Sequence, residues 1–374
     1  MKYMQEFRDP GQARGLARAI AAAADPGRAY HFMEFCGGHT YTISRYGIPE
    51  LLPAGVRMIH GPGCPVCVLP VGRIDNAIQI AATPGVTLCS YGDMLRVPGS
   101  HGTSLLQAKA AGADVEMVYS VDDALRIAAD RPDREVVFFG IGFETTAPAS
   151  AAAVTTARAR GLGNFRLFCN HVLTPAAIRS ILESRGAGGP EAVPLDGFIG
   201  PAHVSAVIGT RPFEAFAREY RKPVVVAGFE PLDVLLAILM LVRQVNEARH
   251  EVENEYARAV TRDGNTRAQA LVAEVFEPRG SFEWRGLGLV PDSALEVKAG
   301  YAEFDAERRW ELPAITAAEN RHCECGAILR GLKQPFDCSL FGTTCTPDTP
   351  VGSCMVSSEG TCAAYYAYRR HRPA

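Results

Sequence analysis

Four residues in the first 70 have the types and spacing to hold a metal or to move electrons: Cys36, His39, Cys64 and Cys67. Cys64-Pro-Val-Cys67 is a CxxC pair set among glycines and prolines, so its backbone is constrained. Such a pair either binds metal or cycles between dithiol and disulfide, because stabilising a thiolate lowers one pKa. Cys36-Gly-Gly-His39 brings a second soft donor set on an adjacent turn. The four could close a Cys₃His zinc site. They could equally leave an open site, with Cys36 and His39 holding a metal and the CxxC pair supplying electrons.

A second concentration of thiols lies near the other end. Six of the eleven cysteines fall between Cys323 and Cys362: Cys323, Cys325, Cys338, Cys345, Cys354 and Cys362. Their C-x-C-x₁₂-C-x₆-C-x₈-C-x₇-C spacing matches neither ferredoxin pattern and lacks the paired CxxC knuckles of a zinc ribbon. The count fits a 4Fe–4S cluster on four thiols with two thiols beside it. The surrounding Pro335, Gly342, Pro347, Pro350 and Gly352 favour tight loops. An odd number of cysteines in a chain without an export signal argues against a disulfide framework.

The elements that must position these residues are legible as alternating apolar runs and helical stretches. Strands are expected at Tyr30–Phe35, Val56–His60, Val86–Tyr91, Val115–Tyr119, Glu135–Ile141, Phe165–Cys169, Gly197–Ile199 and Pro223–Ala227. Several are continuously apolar, as in parallel strands buried on both faces. Helices are expected between them, at Ile74–Ala82, Ser104–Ala111, Val121–Ala129, Ala147–Arg160, Pro175–Ser184 and Phe213–Glu219. Asp9-Pro10 starts an earlier helix. The alternation predicts an α/β fold. Asp130–Asp133 divides it into two Rossmann-like parallel-sheet domains, 1–130 and 131–230. Residues 231–374 form a third region: one long helix from Pro231 to Val260, an irregular Gly- and Pro-rich segment, and a helical, loop-rich iron–sulfur domain.

Ligands in open α/β sheets bind beyond the carboxyl ends of the strands. Those ends carry Cys36 and His39, then His60 and Cys64, Gly92-Asp93, Glu144-Thr145-Thr146, Asn170-His171, His203, and Glu230. Together they predict one cleft lined with thiols, imidazoles and carboxylates. Each also has a plainer reading. Cys89 and Cys169 lie inside apolar strands as buried thiols, and His60 could be a satisfied core histidine. Glu144 and Glu230 could serve the helices that follow them.

Composition bounds the rest. The chain has 374 residues, 47% hydrophobic and 21% charged, as globular proteins do. A net charge of −3 argues against a broad nucleic-acid surface. The longest apolar run, Val234 to Val242, is nine residues, short of a membrane span. The amino terminus has no apolar leader segment, so a cytoplasmic protein is expected.

Several uncommon motifs occur together and in order: Phe35-Cys-Gly-Gly-His-Thr40, His60-Gly-Pro-Gly-Cys-Pro-Val-Cys67, Gly142-Phe-Glu-Thr-Thr146, Asn170-His171, Gly200-Pro-Ala-His203, Gly228-Phe-Glu-Pro231 and Pro350-Val-Gly-Ser-Cys-Met-Val-Ser-Ser-Glu-Gly-Thr-Cys362. In these the chain resembles hydrogenase maturation proteins of the HypD type, from about residue 30 to 368. The resemblance implies a scaffold for the Fe(CN)2CO unit of nickel–iron hydrogenases. A HypC-type chaperone would share the iron, a HypE-type partner would supply cyanide, and the hydrogenase large subunit would receive the product. It implies iron at Cys36 and His39, a redox dithiol at Cys64 and Cys67, and a 4Fe–4S cluster on four of the six tail cysteines. The rival readings are a structural zinc platform, a cluster-dependent disulfide reductase and a nucleotide-binding enzyme. The last lacks a P-loop or a placed G-x-G-x-x-G.

Overall fold

Asp9 and Pro10 start the first helix, Pro10–Ala23, with the Asp9 carboxylate accepting the Gln12 amide at 2.7 Å. The structure is a computed structural model describing residues 5–100, 102–186, 194–312 and 320–369. Residues 1–4 of the amino-terminal stretch, read above for a leader, lie outside the described residues. The strands are β1 (Tyr30–Glu34), β2 (Val56–His60), β3 (Val86–Ser90), β4 (Val115–Met117), β5 (Glu135–Gly142), β6 (Phe165–His171), β7 (Gly197–Pro201), β8 (Val224–Ala227), β9 (Val252–Asn254), β10 (Phe276–Trp284) and β11 (Gly288–Val297). All eight strands read from the apolar runs are among them.

Two parallel sheets carry the α/β fold. One has the order β2-β1-β7-β8-β9 and the other β4-β3-β5-β6. The division expected at residue 130 does not match this pairing. It cuts the second sheet between its neighbours β3 and β5, and it separates β1 from its neighbour β7, where Phe32 pairs with Gly197. Residues 131–134 only join the helix Val121–Asp130 to β5. A polar turn with a proline serves any such connection, so it marks no boundary. The first sheet is built from strands on both sides of the second in sequence.

The region after Pro231 also differs from expectation. The long helix stops at Asn246 rather than Val260. Ala248 then takes a φ of 51° and β9 follows. The segment expected to be irregular is the antiparallel hairpin β10–β11, with a register shift between Arg279 and Ser281. Beyond it the helices are short, Cys325–Leu329 and Thr361–Tyr368.

Three arginines fasten the hairpin and the segment after it to the sheets. Arg285 donates to the Leu69 carbonyl through Nε at 3.2 Å and Nη2 at 3.1 Å, and its amide bonds the Val68 carbonyl at 2.7 Å. Arg73, in the helix Val71–Ala81, holds Glu307 at 2.8 and 2.9 Å, and Arg279 of β10 holds the same carboxylate.

Candidate functional site

β1 and β2 are parallel neighbours, so the loops after them lie side by side. Glu34, the last residue of β1, is wholly buried and joins them. Its carboxylate accepts the Cys36 amide at 2.8 Å, the His60 Nδ1 at 2.7 Å and the Thr40 hydroxyl. Its carbonyl accepts the Gly61 amide at 2.9 Å. Gly63 must be glycine here, because a Cβ would lie 2.4 Å from the Cys36 nitrogen. Glu34 was not among the residues read from sequence. Its signal was an acid inside a strand that is otherwise buried and mostly apolar.

Cys36 is nearly buried at the start of the helix Gly37–Arg45. Burial pushes its thiol up, and the Glu359 and Glu34 carboxylates push it further. It therefore stays protonated until a cation arrives beside it. His39 is fully buried, and its Nε2 lies 3.1 Å from the Ala227 carbonyl and 2.9 Å from that of Gly228. Two carbonyl acceptors place the proton on Nε2. Nδ1 then carries a free lone pair and has no hydrogen-bond partner among the described residues. Burial lowers the His39 pKa, so the ring is neutral. A thiol and an unclaimed imidazole nitrogen are donor types that iron accepts. Among the described residues no three His, Cys, Asp or Glu side chains are grouped to hold one metal ion by themselves.

Cys36 opens into a cleft of about 470 Å³ between the carboxyl ends of the two sheets. Asp93, Thr145, Thr146 and His203 line it, as their strand-end positions suggest. Tyr91 and Tyr119 join them from the second sheet, and Ser357, Ser358 and Glu359 come from the tail. The tail residues sit between Cys354 and Cys362, so the cysteine-rich segment supplies one wall of the cleft.

Other strand-end residues turn elsewhere. His171 is buried on Ser150 at 2.8 Å, and burial drops its pKa to about 3. Asn170 accepts Arg73 at 2.5 Å. His60 is held by Glu34 and packs edge-on against Tyr365. Glu230 pairs with Arg8 and precedes the helix Pro231–Asn246. Cys89 and Cys169 are buried thiols, as their plainer reading has it.

Glu144 points away from the cleft and lines an apolar pocket of about 360 Å³ beside Leu173, Val272 and Phe276. It accepts the Thr174 amide at 2.9 Å and hydroxyl at 3.0 Å. Burial raises its carboxyl from 4.5 to about 7, against the pull of these bonds. The stability this group contributes is complete below its ordinary 4.5 and is lost as the pH rises through about 7. Glu144→Gln keeps the shape without the ionisation. The melting temperature of the wild type should therefore fall more steeply than that of the variant from about pH 5 to about pH 8. Parallel curves would remove this role.

Cys64 and Cys67 are joined in a disulfide at the start of the helix Pro65–Val68. Both are buried behind the cleft wall that Gly63, Pro65 and Val66 form. Closed on each other, they offer no thiolates for the Cys₃His zinc arrangement.

The tail cysteines affect one another's ionisation. The Cys325 thiol feels its neighbours Cys323 and Cys354, and Cys354 feels Cys362 in turn. Cys345 feels both Cys362 and Cys338. Cys325 and Cys354 are the two deepest, each 1% exposed. Their thiol neighbours and Arg285 hold the Cys325 thiol well below its usual range, while Cys354 is pushed up. Ser353 donates to the Cys67 carbonyl at 3.1 Å, and its hydroxyl is 4.0 Å from the Cys325 sulfur. The tail thiols thus pack directly against the CxxC turn.

Comparison with known proteins gives the family. A family model described as "HypD: Hydrogenase formation hypA family" matches residues 11–369. A hydrogenase maturation factor HypD of Rhizobium leguminosarum bv. viciae is 68% identical over 372 residues, covering 100% of this chain and 97% of the relative. That of Cupriavidus necator is 63% identical over 372 residues, covering 100% and 98%. That of Escherichia coli K12 is 46% identical over 375 residues, covering 99% of each. No helix among the described residues is long and apolar enough to cross a membrane. The chain belongs to the HypD family of hydrogenase maturation factors.

Proposed function

We propose that the protein is a cytoplasmic scaffold on which the Fe(CN)2CO unit of a nickel–iron hydrogenase is assembled. Its partners are a HypC-type chaperone sharing the iron, a HypE-type cyanide donor and, at the end, the hydrogenase large subunit. The observation that carries this reading is Cys36. It is a free thiol at a cleft, among carboxylates, and tied through Glu34 to His60 and the Gly61 amide on the loop that carries the buried Cys64–Cys67 disulfide.

The cargo iron is the substrate. Its charge offsets Glu34 and Glu359, so Cys36 can lose its proton and ligate. His39 offers Nδ1 as a second donor. When bound, a 4Fe–4S cluster supplies single electrons; Cys323, Cys338, Cys345 and Cys362 would hold it. Cys325 and Cys354, the innermost pair, remain as a dithiol facing the CxxC turn. Exchange between the two pairs opens the Cys64–Cys67 disulfide and closes one between Cys325 and Cys354, moving two electrons and two protons.

A free-standing disulfide reductase fits less well. Cys64 is 3% exposed and Cys67 wholly buried, so a protein substrate has no path to them. A zinc platform needs the thiolates that the Cys64–Cys67 bond removes.

The test is anaerobic purification with the chaperone, followed by iron and sulfide counts and an infrared spectrum. Wild type should show cyanide and carbonyl stretches and about four cluster irons. Cys36→Ala should lose the stretches and the cargo iron while keeping the cluster. Stretches at normal intensity in that variant would remove Cys36 from the iron site. A colourless protein with stoichiometric zinc would overturn the reading altogether.

A further inference from the structure

Phe229 lies between two imidazoles. Its ring centroid is 4.8 Å from that of His39, tilted by 30°, and 4.0 Å from that of His203, tilted by 35°. The ring is fixed from two directions. The Phe229 carbonyl accepts the Thr42 hydroxyl at 2.6 Å. A Cβ on Gly38 would sit 2.7 Å from the ring, so the second glycine of Cys36-Gly-Gly-His39 exists to admit it. His39 is anchored in turn on the Ala227 and Gly228 carbonyls.

His203 is the outer member of this stack and lines the same cleft as Cys36. Among the described residues nothing hydrogen-bonds to either of its ring nitrogens. Phe229 covers one ring face and leaves the rest to the cleft. The cleft's hydroxyl groups can rotate, whereas this ring is set before any ligand arrives. A preset donor loses little on binding and is selective in geometry.

The two kinds of diatomic ligand on the cargo iron differ in the property such a donor reads. Metal-bound cyanide keeps negative charge and a lone pair on nitrogen, and it is a strong hydrogen-bond acceptor. The oxygen of metal-bound carbonyl is a weak one. We infer that His203 donates a hydrogen bond to the nitrogen of a cyanide ligand on iron held at Cys36, and so determines which position cyanide takes and which is left to carbonyl. This rests on the scaffold reading above.

The experiment is the infrared spectrum of the complex with the small chaperone, isolated from cells making the whole maturation set. In His203→Ala the cyanide bands should move, and by more than the carbonyl band. His203→Gln keeps an N–H donor and should return the cyanide bands toward their wild-type positions. Cyanide bands unmoved in His203→Ala, at wild-type intensity, would overturn the inference. If that variant does not fold, Phe229→Leu decides: with the stack lost but the imidazole kept, the cyanide bands should broaden, and unchanged bands would overturn it. A wild-type complex with no cyanide or carbonyl bands would instead sink the scaffold reading, and this inference with it.

Discussion

Serine in place of Cys325 is expected to leave a folded, brown protein whose Cys64–Cys67 disulfide no longer accepts electrons. The reason is where the thiols sit rather than how many there are. Cys325 and Cys354 are the deepest of the six, act on each other's ionisation, and meet the CxxC turn through Ser353. Arg285 stands at the same junction, donating to Leu69 just past Cys67 and favouring the Cys325 thiolate. A thiolate there can attack one sulfur of the Cys64–Cys67 bond, and Cys354 can then resolve the mixed disulfide. Serine cannot form that intermediate. Reduction of Cys64 and Cys67 under a low-potential one-electron donor should slow by about two orders of magnitude. Alkylation of the freed thiols followed by mass spectrometry reads the rate, and iron and sulfide counts read the cluster. Cys338→Ser should do the reverse and lose the cluster. If Cys325→Ser loses its iron and sulfide, Cys325 is a cluster ligand and the division between ligands and relay is wrong. A wild-type rate of reduction would remove the relay.

The strands of both parallel sheets were legible because burial on two faces writes itself as a continuous apolar run, as in Val86–Ser90, where every residue is buried. β9 and the hairpin were not. Val252–Asn254 is a half-buried edge strand, and β10 and β11 carry Pro278, Gly280 and Pro291 at positions that an exposed two-stranded ribbon tolerates. Nor can apolar runs say which strands pair. β1 beside β7 is a long-range fact, and a linear reading split the chain at residue 130 where the sheets do not.

At the site, strand-end position told which end of the sheet a residue occupies but not which way it turns. In Gly142-Phe-Glu-Thr-Thr146 the two threonines face the cleft, while Glu144 faces the far pocket to hold Thr174. His203 faces the cleft, whereas His171 faces Ser150. The CxxC pair and the tail cysteines were legible from spacing alone. The distinction of Cys325 and Cys354 from the other four was not, because it depends on packing against Ser353 and Arg285 from distant parts of the chain.

Glu307→Ala is expected to cost about 3 kcal/mol of stability, near the lower end for breaking a mostly buried ion pair. Two guanidinium groups share this carboxylate, Arg73 from the helix after β2 and Arg279 from the hairpin. Arg73 also bonds Asn170 and the Cys169 carbonyl and lies 4.2 Å over the Phe168 ring. Removing Glu307 leaves both cations in place with little water to replace their partner, and the penalty falls mainly on them. Burial by itself would raise the Glu307 carboxyl, but the two arginines outweigh it and hold it at about 2. The contribution is therefore complete above the ordinary carboxylate pKa of 4.5 and disappears as the pH falls through about 2. Denaturant unfolding at neutral pH should show the full loss. The gap between wild type and variant should shrink in acid as the wild-type carboxylate takes up its proton. Glu307→Gln keeps hydrogen-bond acceptance to one side and should lose less. A neutral-pH loss below about 1 kcal/mol, the range of an exposed pair, would mean that water solvates this cluster and that the hairpin is held by its apolar face alone. The effect should also reach the redox turn. The same hairpin carries Arg285 to the Leu69 carbonyl, so a loosened β10–β11 should make the Cys64–Cys67 disulfide easier for a small thiol reductant to reach.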